Sequence, residues 1–189
     1  MNPDIIPRSV VVKVLISEEN IQRRVTELAL QISNNYSVLD GFFTSPRLLI
    51  IGILRGAFIF TADLTRQITI PHEVDFMALS SYGSTTTSGE VRTVMDLREP
   101  IENLHILLVE DIIDTGKTLS YLHRILQGRN PASIKTCVMT KKPHNSISIP
   151  IDYLGFEIPD VWVVGYGLDY NNCYRNFPYI AELRAEIYS

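Results

Sequence analysis

The ten residues Val109–Thr118, which read Val-Glu-Asp-Ile-Ile-Asp-Thr-Gly-Lys-Thr, restrict the fold of this chain more than any other segment. The apolar residues Ile106–Val109 predict a buried strand that ends where the acidic residues begin. After the run, Leu119, Leu122 and Ile125-Leu126 recur with helical spacing. The segment therefore predicts a strand, an acidic edge, a loop of small residues and the start of a helix.

This combination indicates a site for a phosphate attached to a sugar. The N–H groups in the first turn of a helix have no partner within the helix, and they favour a phosphate. Glu110 and Asp111 are expected to face the sugar, where carboxylates accept hydrogen bonds from hydroxyl groups or share a divalent cation with them. The N–H groups expected to hold the phosphate belong to Thr115, Gly116, Lys117 and Thr118.

A P-loop for nucleoside triphosphates is the main alternative, because Gly116, Lys117 and Thr118 match the last three positions of that motif. The motif also requires a glycine five residues before Gly116, and this chain has Asp111 there. A carboxylate at that position would repel a triphosphate. The P-loop interpretation is therefore rejected.

The acidic run resembles the phosphoribosyl diphosphate signature of type I phosphoribosyltransferases, in which two acids precede an Asp-Thr-Gly-Lys-Thr loop. Other segments match this family in the same order, from about Leu48 to Ile180. Together they resemble the hypoxanthine–guanine phosphoribosyltransferases, in the shorter bacterial form of that branch. The matching segments are Leu54-Arg55-Gly56, Ser81-Tyr82-Gly83, Lys142-Pro143, Gly155–Asp160, Val163–Tyr170, Arg175-Asn176 and Pro178–Ile180.

The resemblance implies an enzyme of purine salvage. It would transfer the phosphoribosyl group of phosphoribosyl diphosphate to the purine base hypoxanthine or guanine, giving the nucleotide monophosphate IMP or GMP and diphosphate. The implied cofactor is Mg²⁺. The alternative is a regulatory protein of the same fold that senses phosphoribosyl diphosphate, but such proteins usually carry a DNA-binding segment or a basic face, and this chain shows neither.

The resemblance also assigns roles to individual residues. Asp114 is the expected acceptor of the purine N7 proton, and capping of the following helix is the alternative. Lys142, rather than the adjacent Lys141, is expected to recognise the 6-oxo group, because an ammonium only donates hydrogen bonds and cannot satisfy the amino group of adenine. The other assignments are Leu54, Arg55, Gly56 and Arg175 for the diphosphate, Trp162, Val163, Leu168 and Asp169 for the purine, Ser81 and Tyr82 for a lid loop, and Glu110, Asp111 and Asp169 for the metal.

Simpler interpretations stay open for some of these residues. Packing within a small lobe is the alternative for Trp162, a turn for Asp169, and a solvent-exposed position for Arg175 and Lys117. The family often has a cis peptide in the diphosphate loop, which corresponds here to the bond between Leu54 and Arg55. We expect that bond to be cis.

Strand-like and helical segments alternate along most of the chain. The helix Glu18–Ile32 and the strands Leu48–Ile53, Val74–Ser80 and Ile134–Thr140 predict an α/β domain. Its expected architecture is the type I phosphoribosyltransferase fold, a doubly wound, mainly parallel sheet with helices on both faces. Ligands of such sheets bind at the carboxyl ends of the strands, so the loops after these strands and after Val109 should meet in one cleft.

A single phosphoribosyltransferase domain over residues 1–189 is expected, with a small second lobe above the cleft. From Pro143 the pattern changes to short β-like segments, Tyr153–Phe156 and Trp162–Val164, which proline and glycine interrupt. In the resembling family this lobe is the base-binding hood, and N-terminal residues join it. The expected division is a core of about residues 17–142 and a hood of about residues 1–16 and 143–189.

Composition excludes several other classes of protein. A hydrophobic content of 46% and a charged content of 20% are ordinary for a globular domain of 189 residues. The net charge of −4 argues against a nucleic-acid partner, and the chain shows neither a secretory leader nor an apolar stretch of membrane-spanning length. Cys137 and Cys173 lack metal-ligand spacing and are expected to be reduced thiols in the cytoplasm. The resemblance further implies a homodimer or homotetramer.

Overall fold

The computed structural model describes residues 10–37, 48–81, 91–143 and 149–188. Within these residues the chain forms two sheets, three α-helices and a short 3-10 helix near its end. The elements, in chain order, are β1 (Val11–Ile16), α1 (Glu18–Ser37), β2 (Leu48–Leu54), α2 (Phe58–Gln67), β3 (Glu73–Ser81), β4 (Val91–Met95), β5 (His105–Ile113), α3 (Lys117–Gln127), β6 (Ser133–Lys141), β7 (Tyr153–Glu157), β8 (Val163–Val164), β9 (Ile180–Leu183) and the 3-10 helix Ala185–Ile187.

The larger sheet has six strands in the order β4-β3-β2-β5-β6-β7. Neighbouring strands are parallel, except that β4 runs antiparallel to β3. The chain winds from β2 towards one edge of the sheet and, after returning to β5, winds towards the other edge. Ligands of doubly wound sheets bind where the winding direction changes, which here is between β2 and β5. The residues after these two strands are therefore the expected centre of a binding site.

Both faces of this sheet are covered by helices. On one face, Leu107 and Val109 of β5 pack in a buried cluster with residues of α1 and α2. On the other face, Ile106 and Leu108 pack in a second buried cluster with residues of α3. Burial on two sides explains why β2 and β5 are nearly continuous apolar runs. The fold class inferred from the sequence, a doubly wound and mainly parallel α/β sheet, is confirmed.

Several element boundaries differ from the sequence prediction. Helix α1 continues to Ser37 rather than ending near Ile32. Strand β5 continues to Ile113 rather than ending at Val109, because Ile112 and Ile113 still pair with β6. Backbone pairing requires no apolar side chains, so the acidic pair lies inside the strand and not after it. Strands β1, β4 and β9 have no counterpart in the prediction, since each has only four to six residues. β1 and β9 pair with each other although they are far apart in the sequence, whereas β4 pairs with the strand before it, β3.

The smaller sheet is antiparallel, with the order β1-β9-β8. It joins the segment before α1 to the last part of the chain and has a small buried cluster of its own. Strand β7 lies in the region that the sequence assigns to the hood, but it pairs with β6 at the edge of the larger sheet. The larger sheet therefore extends to Glu157, and the division into core and hood stays a prediction. Among the described residues, no helix has the length and apolar character needed to cross a membrane.

Candidate active site

Glu110 and Asp111 are neighbours near the carboxyl end of β5, beside the point where the winding direction changes. Glu110 is only 7% exposed, and its Oε2 atom has no hydrogen-bond partner within the described part of the chain. Asp111 Oδ1 accepts a hydrogen bond from the N–H of Ile112 at 2.9 Å. A buried carboxylate oxygen without a partner costs free energy. Glu110 is thus suited to receive a ligand hydroxyl or a cation.

The two carboxyl groups also change each other's protonation. Burial raises the pKa of Glu110 well above its usual range, and the charge of Asp111 and the hydrogen bond between the two groups raise it further. Burial raises the pKa of Asp111 as well, while that hydrogen bond, the backbone N–H of Ile112 and the charge of Arg175 oppose the rise. The pair therefore favours one shared proton, held by Glu110 and donated to Asp111.

Glu110 and Asp111 fit a Mg²⁺ ion that is coordinated partly by oxygen atoms of a bound substrate. Among the residues that the structure describes, no group of three or more Asp, Glu, His or Cys side chains is arranged to hold a metal ion. Mg²⁺ is commonly bound by one or two carboxylates together with water and substrate phosphates, and Glu110 and Asp111 supply such carboxylates. Asp169, the third residue assigned to the metal, does not join them in one cluster, and its Oδ1 pairs with Arg175 at 2.6 Å.

The loop between β5 and α3 borders a cavity of about 190 Å³. Gly116 is the N-cap residue of α3 and has a φ of 77°, which glycine adopts without strain. The N-cap residue Gly116 makes no side-chain hydrogen bond to α3, whereas Thr115 Oγ1 accepts a long hydrogen bond, at 3.5 Å, from the N–H of Lys117. Capping by Asp114 is not observed among the described hydrogen bonds. Lys117 is exposed, which agrees with a contribution through its backbone N–H alone. The predicted site residues that line the cavity are Glu110, Asp114, Thr115, Gly116 and Thr118.

The loop after β2, Leu54–Gly56, contacts the acidic pair directly. The peptide bond between Leu54 and Arg55 is cis, as the family resemblance implies. A Cβ atom built on Gly56 would collide with the carboxylate of Asp111. The lack of a side chain at this position therefore lets the diphosphate loop lie against the acids of β5, and the two loops of the switch point form one site.

The hood contacts the same loop through a tight turn. Gly165, Tyr166 and Gly167 have φ angles of 99°, 51° and 100°, and a Cβ atom on Gly167 would collide with the carbonyl oxygen of Gly56. The hydroxyl of Tyr166 donates a hydrogen bond to Asp63 of α2 at 2.8 Å. This turn thus places the hood against the diphosphate loop and the helix that follows it.

Arg175 and Asp169 are engaged with each other inside the hood. Arg175 Nη2 lies 2.6 Å from Asp169 Oδ1, and its Nη1 donates to the carbonyl of Gly167 at 2.6 Å. Asp169 Oδ2 accepts from the N–H of Asn172 at 2.7 Å, so the turn role considered for Asp169 is present. Arg175 is partly buried rather than a freely exposed residue, and its charge lowers the pKa of Asp111.

The ammonium of Lys142 lies between two carboxylates. Its side chain is 13% exposed, with Nζ at 3.1 Å from Asp160 Oδ1 and at 3.8 Å from Asp114 Oδ2. Lys141 instead faces the exposed carboxylate of Glu157, at 3.9 Å. The residue assigned to base recognition and the residue assigned to the purine proton are therefore neighbours, and Lys142 is the lysine that lies beside Asp114.

Asp160 is a residue of this site that the sequence reasoning missed. The sequence prediction uses Gly155–Asp160 only as a segment that matches the family, and it assigns no role to Asp160. One sequence signal was available. Asp160 follows Ile158-Pro159 near the end of a predicted strand, and the loops after parallel strands converge on the binding site. Its partner Lys142 belongs to the loop after another strand, so the pair becomes visible only when β7 is placed beside β6.

Trp162 lies on the surface of the hood, with 51% of the residue exposed. Its ring makes an edge contact with Tyr170, at 5.9 Å between centroids, and a tilted contact with Tyr188 at 5.6 Å. Trp162 is thus no core residue, and about half of it is open to a ligand. Val163 and Leu168 are buried, so they offer backbone groups rather than exposed side chains.

The lid prediction concerns residues at the end of β3. Ser81 is the last residue of this strand, and β3 runs parallel to β2. Ser81 therefore lies at the same edge of the sheet as the diphosphate loop. Tyr82 and the rest of the expected lid lie outside the described residues, so the lid stays a prediction.

Comparison with known proteins identifies the family. The family model of the phosphoribosyl transferase domain matches residues 15–171. The chain belongs to the phosphoribosyltransferase family. It is 42% identical over 181 residues to the hypoxanthine-guanine phosphoribosyltransferase of Dictyostelium discoideum, a match that covers 93% of this chain and 97% of the relative.

Solved structures agree with this result. The hypoxanthine phosphoribosyltransferase of Staphylococcus aureus is similar over 100% of both chains, with a TM-score of 0.88 and 38% identity. A variant of the Trypanosoma cruzi hypoxanthine phosphoribosyltransferase, in complex with its product IMP, has a TM-score of 0.87 and 41% identity over 94% of each chain. The resemblance inferred from the motifs is confirmed, and the relatives are enzymes, which favours the transferase over the regulatory alternative.

The raised pKa of Glu110 leads to a testable effect on stability. Because the pKa is raised in the folded state, the contribution of Glu110 to folding is complete below its unfolded pKa of about 4.3 and is lost as the pH rises through the folded-state value. Glu110→Gln avoids this loss. Without ligand or divalent ions, we expect the variant to exceed the wild type in Tm by roughly 2 °C or more near pH 8, and by less near pH 5. Thermal melts across this pH range measure the difference.

The same variant should bind Mg²⁺ and phosphoribosyl diphosphate at least about tenfold more weakly, because a ligand to the cation or to the ribose is lost. Glu157→Gln is the matched control, since it removes an exposed carboxylate of the same type and should change neither property. A variant with the wild-type pH dependence of Tm would show that Glu110 does not carry the raised pKa.

Proposed function

We propose that this chain is a Mg²⁺-dependent hypoxanthine–guanine phosphoribosyltransferase of purine salvage, which makes IMP or GMP and diphosphate from the free base and phosphoribosyl diphosphate. The observation that carries this proposal is the position of Lys142 Nζ, 3.8 Å from Asp114 Oδ2, where Asp114 also lines the cavity at the start of α3. A donor for an oxo group and an acceptor for a ring proton are the two groups that a 6-oxopurine requires.

The 5-phosphate of the substrate would bind at the first turn of α3. Thr115, Gly116 and Thr118 line the cavity there, and the hydrogen bond from the N–H of Lys117 to Thr115 Oγ1 is long, at 3.5 Å, so it competes only weakly with a phosphate. A helix N-terminus attracts anions through its unpaired N–H groups and its dipole. Lys117 contributes its backbone N–H, and its ammonium remains in solvent.

The ribose and the diphosphate would bind between the two loops of the switch point. Glu110 and Asp111 would hold the ribose hydroxyls and, together with substrate oxygens, the Mg²⁺ ion, with Asp169 as a further metal residue. When bound, the ion neutralises the charge that grows on the leaving diphosphate. The backbone of Leu54, Arg55 and Gly56 would contact the diphosphate, and Arg175 would add a positive charge from the hood.

The purine would lie between the hood and the end of β6. Trp162 would stack on the ring, Lys142 would donate to the 6-oxo group, and the backbone at Val163 and Leu168 would contact the edge of the base. Asp114 would accept the N7 proton as the new bond to the ribose forms. The reaction needs little covalent work from the protein, so position and electrostatics dominate its rate. Closure of the predicted lid at Ser81 and Tyr82 would keep water from the reactive ribose carbon.

The oligomeric state and the location in the cell belong to this proposal as well. We expect a homodimer or homotetramer in the cytoplasm, as the family resemblance implies, with no nucleic-acid partner. Light scattering coupled to size-exclusion chromatography would measure the oligomeric state directly, and a monomer at micromolar concentration would contradict this part.

Steady-state rates with hypoxanthine, guanine, xanthine and adenine test the proposed function. We expect turnover of hypoxanthine or guanine that requires both phosphoribosyl diphosphate and Mg²⁺ and is lost with EDTA. Adenine should be poorer by at least about 10³-fold in kcat/KM, because Lys142 cannot pair with an amino group. Comparable turnover of adenine would refute the role of Lys142, and inactivity with every base would refute the function.

A further inference from the structure

The pair of Asp160 and Lys142 contains a feature that the roles assigned above do not explain. Lys142 Nζ lies within hydrogen-bond distance of Asp160 Oδ1, at 3.1 Å, whereas Asp114 Oδ2 is 3.8 Å away. The base-recognition lysine is therefore held by a carboxylate other than the one expected to take part in the reaction. An ammonium has three hydrogens, and the bond to Asp160 uses one of them.

The electrostatics of Lys142 make this contact important. Its side chain is only 13% exposed, and a charge withdrawn from water is costly unless an opposite charge or hydrogen bonds compensate. The 6-oxo group of a purine is neutral and supplies no compensating charge. Asp160 supplies that charge from a side of Lys142 that does not face the base. The side chain of Asp160 is 56% exposed, so its carboxylate loses little hydration.

The backbone around Asp160 keeps its position defined. The N–H of Ile158 donates to the carbonyl of Lys141 at 2.9 Å, which ties this loop to the residue before Lys142. Ile158 itself is buried, and Pro159 restricts the backbone before Asp160. The N–H of Val161 donates to the carbonyl of Pro159 at 2.9 Å and closes a tight turn. The carboxylate is thus presented by a loop with few conformations.

From this geometry we infer that Asp160 is a positioning residue for base recognition, which rests on the proposed function. It holds the ammonium of Lys142 in the direction of the 6-oxo group and away from Asp114. Without this carboxylate, Asp114 is the nearest negative charge among the described contacts of Lys142. The ammonium then moves to Asp114, which draws the donor from the base and occupies the carboxylate that accepts the N7 proton.

Asp160→Asn tests this inference by separating the two substrates. The variant should raise KM for hypoxanthine and Kd for IMP by roughly tenfold or more, the range expected when a hydrogen bond to a charged group is lost. KM for phosphoribosyl diphosphate should stay within about twofold, because none of the contacts described for Asp160 is with a residue that lines the phosphate cavity. Asp160→Glu restores a carboxylate and should recover most of the loss. Glu157→Gln is the control for the loss of a nearby charge, at the end of β7, and should behave as wild type.

A double-mutant cycle distinguishes positioning from a general structural role. In a Lys142→Met background, Asp160→Asn should cause no further rise in the Kd for IMP, since Asp160 acts through Lys142. Equal losses in both backgrounds would overturn the inference, as would an unchanged KM for hypoxanthine or equal changes in both KM values. Melting temperatures show that each variant is folded. Inactivity of the wild type with every base would contradict both the proposed function and this inference. An active wild type with an equally active Asp160→Asn variant would contradict the inference alone.

Discussion

Replacement of Asp114 by Asn is expected to lower kcat by about 10²- to 10⁴-fold, the usual contribution of a general base. The amide keeps the size of the side chain but cannot accept the N7 proton. Asp114 is 65% exposed and its Oδ2 is 3.8 Å from Lys142 Nζ, so its loss should leave the fold intact. The Kd for phosphoribosyl diphosphate should change by less than about threefold, because a phosphate on backbone N–H groups does not need this side chain. Pre-steady-state rates and calorimetric titration measure the two effects separately.

Asp96→Asn serves as the matched control for this experiment. It also replaces a carboxylate by an amide, but at a surface ion pair with Arg129, at 2.7 Å and away from the site. Its kcat should equal that of the wild type, with a stability loss of at most about 1 kcal/mol. If Asp114→Asn instead weakened phosphoribosyl diphosphate binding at normal kcat, Asp114 would belong to the phosphate site and not to the proton transfer.

Substitution of Gly56 by Ala is expected to reduce kcat/KM by about 100-fold or more, since a misplaced site can lose that factor. The new Cβ atom would collide with the carboxylate of Asp111. Either Asp111 or the loop Leu54–Gly56 must move, and the ribose and diphosphate sites then lose their alignment. The crowding should also lower the free energy of unfolding by roughly 1–3 kcal/mol. Steady-state kinetics and denaturant unfolding measure these two quantities.

Gly128→Ala is the matched control, because Gly128 tolerates a side chain. Its φ is −66°, and the nearest atoms to an added Cβ are at 3.6 and 3.8 Å, which is ordinary contact. This variant should keep full activity and gain up to about 1 kcal/mol of stability through reduced freedom of the unfolded chain. Full activity of a folded Gly56→Ala protein would mean that close contact between the diphosphate loop and Asp111 is unnecessary.

Much of the site could be predicted because its parts are local in sequence. Glu110, Asp111 and the loop to α3 form one continuous segment, and the cavity is bordered by residues of that segment. Strand ends and helix starts leave clear local signals, so the predicted start of α1 at Glu18 is the observed one. The end of β5 was placed too early, because the apolar pattern stops at Val109 while pairing with β6 continues.

Contacts between distant segments could not be predicted in the same way. Two contacts depend on how the hood packs against the sheet. They are the close contact between Gly167 and Gly56 and the ion pair of Arg175 with Asp169. Gly56, Arg175 and Asp169 were named as site candidates, but the sequence contains no information on which residues contact each other. For the same reason, Arg175 was assigned to the diphosphate, and its engagement with Asp169 within the hood was not foreseen.

The sequence alone determined the chemistry available to this protein, since amino-acid type and local spacing place carboxylates directly after a buried apolar run and N–H groups at the start of a helix. The tertiary structure alone decided which groups act together. Parallel pairing of β6 and β7 brings Asp160 to Lys142, and burial within the folded sheet raises the pKa of Glu110. Pairing and burial arise from segments far apart in the chain, so no local pattern could contain them.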